Sequence, residues 1–248
     1  MLDYDKEAER YDVLRGGEPR AKAAAEAVLS LVPDGARSLL DVACGTGIVT
    51  RRFSVARAGL RVTGVDLTYG MARRAADRLP GAVVLADSRQ LPFPDGAFDA
   101  VTSVWLLHLV NSPADVRAIV GECARVLRPG GVYVTTVDKA HSHNVGSDID
   151  AVLATRPRTP ALDAGAAVEE HTAGHGLRSA GQACFPGRGQ GRSPRRALAD
   201  LRRGWFVTLP PGDPRADHYA AQLAALPDQD RPRPDPEFSL RAFRKPDV

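Results

Sequence analysis

Two glycines, two carboxylates and a few histidines carry most of the chemistry open to this 248-residue sequence. Cys44-Gly45-Thr46-Gly47 ends a short apolar run (Leu39, Leu40, Val42), and a segment of helical character, Ile48-Val-Thr-Arg-Arg-Phe53, follows. Glycine at such a turn lets the backbone pass close to a ligand where a Cβ would collide. The helix behind it offers unpaired N–H groups and the positive end of its dipole, so a phosphate or carboxylate is the natural guest. Asp66 comes 19 positions after Gly47. At that spacing an α/β nucleotide site places a carboxylate on a ribose diol. The competing role for Asp66 is to cap the next helix, although Thr68 is the more natural cap. Asp87-Ser88 closes another apolar run and suits adenine: the carboxylate accepts from the exocyclic amine and the Ser88 N–H serves a ring nitrogen.

His108 follows the apolar run that ends at Val104, where it either orients the site or serves as general base for an oxygen or carbon acceptor. His141, His143 and Asp138 lie just past the next run and are the other candidates for that base. A metal bound by His141 and His143 is not expected, because no third and fourth ligands occur at useful spacing. Cys44, Cys123 and Cys184 are widely separated, which argues against a disulfide framework or zinc site and fits a reducing cytoplasm.

These residues need a scaffold, and its pattern is regular. Strands are predicted near residues 38–42, 61–67, 82–88, 98–104 and 132–137, with helices over 46–58, 68–79 and 115–127. Each strand is apolar throughout, which predicts a parallel sheet covered by helices on both faces. Ahead of it, 20–31 is a strong helix by propensity, and the Arg15-Gly-Gly-Glu-Pro19 break precedes it. After Lys139 the pattern weakens. A polar loop holds His141, His143, Asp148 and Asp150, a helix is expected over 161–171 and a strand over 178–185. Another helix is expected over 193–204, with Ser193 as cap and Pro194 in its first turn. Trp205, Phe206 and Val207 read as buried anchors or a substrate wall, and 237–244 alternates like a last strand.

Several segments carry a family resemblance. A dinucleotide fold would place a third glycine at Thr50; instead Asp41-Val-Ala43-Cys-Gly45-Thr-Gly47 resembles motif I of the class I S-adenosylmethionine-dependent methyltransferases, usually written with glycine where Ala43 stands. Leu91-Pro-Phe-Pro-Asp-Gly-Ala-Phe-Asp99 matches that family's L-P-F-x-D-x-x-F-D, and Arg125-Val-Leu-Arg-Pro-Gly-Gly131 is a second hallmark. Leu107-His108-Leu109 keeps the first histidine of its L-H-H. The resemblance covers residues 38–138 closely. It implies a Rossmann-like, seven-stranded, mostly parallel α/β sheet whose last strand is antiparallel. It also implies cofactor contacts from Asp41, Ala43, Gly45, Gly47, Asp66, Leu67, Met71, Asp87, Ser88, Val104 and Trp105. Tyr11 and Arg15, on an N-terminal segment, would then touch the methionine end of S-adenosylmethionine; anchoring of that segment is the alternative. Three parts are expected: an N-terminal cover (1–37), the cofactor core (38–138) and a C-terminal part completing the sheet and the acceptor pocket (139–248).

Composition bounds the function. A hydrophobic content of 44% with 25% charged residues is that of an ordinary globular protein, and no apolar run is long enough to span a bilayer. The N-terminus reads as polar and without a secretory leader, so a cytoplasmic protein, monomer or homodimer, is expected. Net charge is only +3, yet residues 178–203 hold seven arginines against Asp200. That stretch is either a solvated surface or a holder of phosphate or acidic substrate. The expectation is methyl transfer to an N, O or C atom of a small molecule, with antibiotic or other secondary-metabolite biosynthesis as the expected setting. An RNA or nucleotide methyltransferase and a non-catalytic cofactor-binding protein are the alternatives. Nucleic acid is disfavoured because few aromatics alternate with the arginines.

Overall fold

The computed structural model describes residues 5, 8, 11–156, 160–204, 209 and 212–247. Tyr4, Trp205, Phe206 and Val207 lie outside the described residues. Five strands alternate with helices as the apolar runs require: β1 (Ser38–Val42), β2 (Arg61–Asp66), β3 (Val83–Leu85), β4 (Phe98–Ser103) and β5 (Leu127–Val137). Between them lie α3 (Ile48–Ala56), α4 (Tyr69–Arg78) and α5 (Pro113–Val126), and α1 (Tyr11–Leu14) and α2 (Gly17–Leu31) precede β1. Beyond β5 come α6 (Lys139–Ser142), α7 (Asp148–Val152), α8 (Gly165–Gly174), β6 (Arg178–Pro186), α9 (Pro194–Arg202), α10 (Pro214–Ala225) and β7 (Glu237–Arg244).

The strands form one sheet in the order β3-β2-β1-β4-β5-β7-β6. β1 to β5 pair in parallel, and β7 runs antiparallel between β5 and β6. The expected antiparallel last strand is therefore present, inserted rather than at an edge. From β1 the chain winds outward to β2 and β3, then returns to start β4 on the other side of β1. That reversal puts a crevice at the carboxyl ends of β1 and β4.

Helices cover both faces. One core joins α2 and α3 to Leu39, Val62, Ala100, Val132 and Leu240; the other joins α5 and Val168 to Leu40, Val65, Val101, Tyr133 and Phe243. Adjacent strand residues Leu39 and Leu40 enter opposite cores, which is why the strands read as continuous apolar runs. A third, smaller cluster brings α7, α9 and α10 together through Ile149, Leu153, Ala197, Leu201, Tyr219 and Leu223.

Some boundaries differ from expectation. β3 is three residues long, since its apolar run frays after Leu85. β5 starts five residues early, because Arg128-Pro-Gly-Gly131 forms an irregularity opposite Phe98–Ala100 instead of a separate turn. α2 starts at Gly17, with Pro19 tolerated in its first turn. α7 occupies part of the expected polar loop, capped by Ser147 and Asp150. Ser193 caps α9 as expected, accepting from the Arg196 N–H.

Candidate active site

The glycine turn is held at the tip of β1 by its neighbours. Asp66, last residue of β2, accepts from the Gly45 N–H (2.8 Å) and from the Thr68 N–H (2.9 Å). Its carboxylate thus locks the turn and also meets the start of α4, so the capping alternative is partly realised; each oxygen retains a lone pair that a ligand could use. The two glycines differ. A Cβ on Gly45 (φ 57°) would meet no protein atom within 4 Å, whereas one on Gly47 (φ 74°) would sit 2.9 Å from Ala75 of α4. Gly45 faces open space; Gly47 is required by helix packing. Ala43 holds φ 59°, a left-handed conformation that favours glycine, which accounts for the family's preference there.

That open space is a cavity of ≈ 330 Å³ at the carboxyl ends of β1, β2 and β4, in the size range of a cofactor pocket. Of the expected cofactor residues, Tyr11, Asp41, Ala43, Gly45, Asp66, Leu67, Met71, Asp87, Ser88, Val104 and Trp105 line it. Gly47 and Arg15 do not; the Arg15 guanidinium lies over the Tyr11 ring, 5.8 Å from its centre.

Electrostatics divide the cavity. Burial pushes Asp41 up from 3.8 to about 7, against the Thr50 hydroxyl that donates to it (2.6 Å), and the nearby Asp66 charge adds to the rise. Burial raises Asp66 too, opposed by the Thr68 and Gly45 N–H groups. Asp87 moves the other way: the Arg89 side chain holds it below the usual carboxylate range and bridges on to Asp115. Burial raises the Cys44 thiol far out of the reactive range.

The histidines stand apart. His108 does not line the main cavity; its Nδ1 is buried without a partner, and burial drives its pKa well down. His141 is exposed on α6 and does not line the main cavity, while His143 lines a smaller one and meets Phe238 edge-on at 5.6 Å. Asp138, in a left-handed conformation (φ 52°), accepts from the Gly165 N–H (3.0 Å), which makes it a structural tie. Among the described residues no group of three or more His, Cys, Asp or Glu could hold a metal.

Two site residues escaped the sequence reading. Arg20 is buried, lines the cavity and stacks on Trp105 at 4.2 Å, with its Nε unpartnered. Asp12 accepts from Thr46 Oγ1 and from Arg78, both at 2.6 Å, pinning α1 to the glycine turn. Both lie at least 24 residues from the turn in sequence, and nothing in their local pattern marks them.

The donors and carboxylates suit an adenosyl amino acid: acids under the ribose and ammonium, apolar walls for the base, and a buried guanidinium for a carboxylate. Comparison agrees. Residues 40–135 match the family described as a methyltransferase domain. With this fold, the segment is a class I S-adenosylmethionine-dependent methyltransferase domain, and S-adenosylmethionine is its cofactor.

The relatives give the finer likeness. The chain is 36% identical over 142 residues to a demethylmenaquinone methyltransferase of Thermobifida fusca, covering 53% of this chain and 57% of that one. It is 38% identical over 141 residues to the ubiquinone/menaquinone biosynthesis C-methyltransferase of Paracoccus denitrificans, covering 52% and 54%. It thus spans little more than half the length of these curated relatives. Among solved structures, the [4+2]-cyclase SpnF superposes with TM-score 0.60 at 22% identity, over 99% of this chain and 94% of that one. Geranyl diphosphate C-methyltransferase from Streptomyces coelicolor, with S-adenosyl-L-homocysteine bound, superposes at 0.54 with 18% identity, over 90% and 78%. At those identities the likeness is one of fold.

Proposed function

We propose that this chain transfers the methyl group of S-adenosylmethionine to an N, O or C atom of a small molecule. The observation that carries this is one cavity that gathers Asp41, Gly45, Asp66 and Asp87 from three strand ends beside the buried Arg20. When bound, the cofactor supplies an electrophilic methyl group on a sulfonium; the chain supplies alignment and a dry pocket. Asp66 would hold the ribose diol, Asp87 the adenine edge, Asp41 the ammonium and Arg20 the carboxylate. The walls formed by Trp105, Leu106, Met71 and Ile119 exclude water around them. Neither His108 nor His141 faces the cavity, so the reading assigns no proton transfer to either.

RNA is the weaker reading. The arginines of 178–203 do not form one stripe: Arg195 pairs with Asp230, Arg196 donates to the Leu14 carbonyl and Arg192 turns inward. Antibiotic or other secondary metabolism stays the finer proposal for the acceptor, with the chain acting as a monomer or homodimer. No helix among the described residues is long and apolar enough to cross a membrane.

Titration calorimetry with S-adenosylhomocysteine tests the cofactor site. One-to-one binding is expected, with Asp66→Ala weakening it by about 2–3 kcal/mol, the worth of lost charge-assisted hydrogen bonds. Unchanged affinity in that variant removes the ribose assignment. Transfer itself is checked with methyl-labelled cofactor against an acceptor panel that starts with demethylmenaquinol; binding without label transfer to any acceptor would favour the non-catalytic reading.

A further inference from the structure

Asp87, Ser88, Arg89 and Asp115 line the cofactor cavity, and Arg89 already fills the carboxylate assigned to adenine. The chain turns sharply after β3. The Gln90 N–H donates to the Asp87 carbonyl (3.0 Å), and the Arg89 N–H donates to Asp87 Oδ1 (2.8 Å). That turn brings the Arg89 side chain back onto the same carboxylate. Its Nε reaches both oxygens at 3.1 Å, and Nη2 donates to Oδ2 at 2.7 Å. A carboxylate offers about four lone-pair sites. Arg89 directs a contact at each, two to Oδ1 and two to Oδ2.

The same guanidinium has a second acid within reach. Its Nη1 donates to Asp115 Oδ1 at 2.9 Å, in the first turn of α5. Asp115 is fixed there by the Ser112 hydroxyl, which donates to its Oδ2 at 2.8 Å. Hydrogen bonds from Arg89 hold both carboxylates below their ordinary range, so both are charged at neutral pH. Two acids therefore share one cation, whose side chain is 52% exposed. Such a head group turns with little loss of hydration, and ion pairs this exposed are weak enough to exchange.

We propose that Arg89 is a specificity residue: it competes with the adenine amine for Asp87, and cofactor binding moves its side chain onto Asp115. This rests on the reading given above, in which Asp87 takes the adenine edge. When the guanidinium turns, the Arg89 backbone N–H stays on Oδ1 and both contacts to Oδ2 are released. Oδ2 is then the acceptor for the amine. A base with an amine exchanges one donor for another, and Asp87 ends as well partnered as it began. A base with a carbonyl at that position brings an acceptor to a carboxylate and cannot displace the arginine. While Arg89 stays, that oxygen meets a cation instead of a bare anion. Arg89 thus lowers affinity for the amino base and softens rejection of the oxo base; Asp115 keeps the displaced cation partnered.

Calorimetric titration of the full chain with S-adenosylhomocysteine and with its deaminated analogue, S-inosylhomocysteine, provides the test. In Arg89→Ala the affinity for S-adenosylhomocysteine should rise about two- to fivefold, the worth of an exposed ion pair. Affinity for the inosyl analogue should not rise, so selectivity for the amino base increases. Asp115→Asn should weaken S-adenosylhomocysteine binding, because the displaced guanidinium then has no acid to receive it. The same substitution in the Arg89→Ala background should change nothing. Weaker or unchanged S-adenosylhomocysteine binding in Arg89→Ala overturns the proposal and makes the arginine a support for Asp87. An equal gain for both nucleosides overturns it too, since that gain owes nothing to the amine, as does an Asp115→Asn effect that survives the loss of Arg89. Equal denaturant midpoints show that the variants keep their fold. Failure of the unmodified chain to bind S-adenosylhomocysteine would instead sink the cofactor reading itself.

Discussion

Asp41 and Asp66 share one electrostatic neighbourhood under the glycine turn, and burial raises the pKa of both. The sign of the consequence follows from the shift of Asp41 from 3.8 to about 7. Its contribution to stability is present in full below pH 3.8 and is lost as pH rises through 7, because the folded state must then bury a charge. A cofactor ammonium reverses the preference: it favours the carboxylate, so binding releases a proton at acid pH. Affinity for S-adenosylhomocysteine should therefore fall by up to about tenfold per pH unit below 7 and level off above. Asp41→Asn, which keeps an acceptor for Thr50, should bind more weakly at pH 8 and show a flatter profile. Calorimetry in two buffers of different ionisation enthalpy reads the proton directly; an unchanged profile in the variant would place the titration elsewhere, on Asp66. At this scale the sequence was informative where a residue's partner is local. Asp66 and Asp87 stand at strand ends that apolar runs announce. Arg20 and Asp12 reach the site only through folding, and spacing says nothing of them.

The glycine turn shows how elements, more than single contacts, set the site. Gly47 begins α3 where α4 crosses beneath, and the closest approach is backbone of Ala75, which cannot rotate away. Gly45 has the same hand of backbone but faces the cavity. Gly47→Ala should thus lower stability by about 2 kcal/mol or more, adding overpacking to left-handed strain. Gly45→Ala should cost only the strain in stability and lose more in cofactor affinity, since its methyl enters the cavity. Denaturant midpoints and calorimetry on the pair separate the two effects; equal losses of stability would show that Gly47 is not a packing residue. The family-like motifs are legible for a related reason, yet most of them are structural. Arg125 ties Leu91 and Phe93 carbonyls to Asp95 and Glu122, and Asp99 accepts from the Arg37 and Ser38 N–H groups at the opposite end of the sheet from the cavity. No expectation covered α10, whose alanine-rich run buries only Tyr219 and Leu223 and so offers few large apolar residues to mark a period.

At the scale of the whole molecule, the last strand packs behind Trp105, one residue of a cavity lined entirely from the first half of the chain. β7 enters the sheet between β5 and β6, and Phe238 at its start meets Trp105, Phe185 and His143. Trp105 holds φ 61°, an uncommon conformation for so large a residue, and its backbone N–H is fixed by Thr136 Oγ1 at 2.7 Å. Packing from Phe185 and Phe238 therefore keeps the indole against Arg20 and the cavity. The alternation of 237–244 showed a strand, but its place between β5 and β6 depends on contacts across the whole sheet. Phe238→Ala leaves a cavity behind that indole and should cost about 3–5 kcal/mol of stability. Under conditions where the variant is still folded, it should also loosen Trp105 and weaken S-adenosylhomocysteine binding, although Phe238 does not line the cofactor cavity. In a Trp205→Phe background Trp105 is the sole tryptophan, and its emission is read with excitation to the red of tyrosine absorption. The expected result is a red-shifted emission with a smaller response to ligand, while Phe238→Leu, which refills most of the volume, recovers both. Emission and affinity that stay unchanged as stability falls would mean that Trp105 is positioned by β4 and Thr136 alone, and that the C-terminal strand closes the sheet without shaping the site.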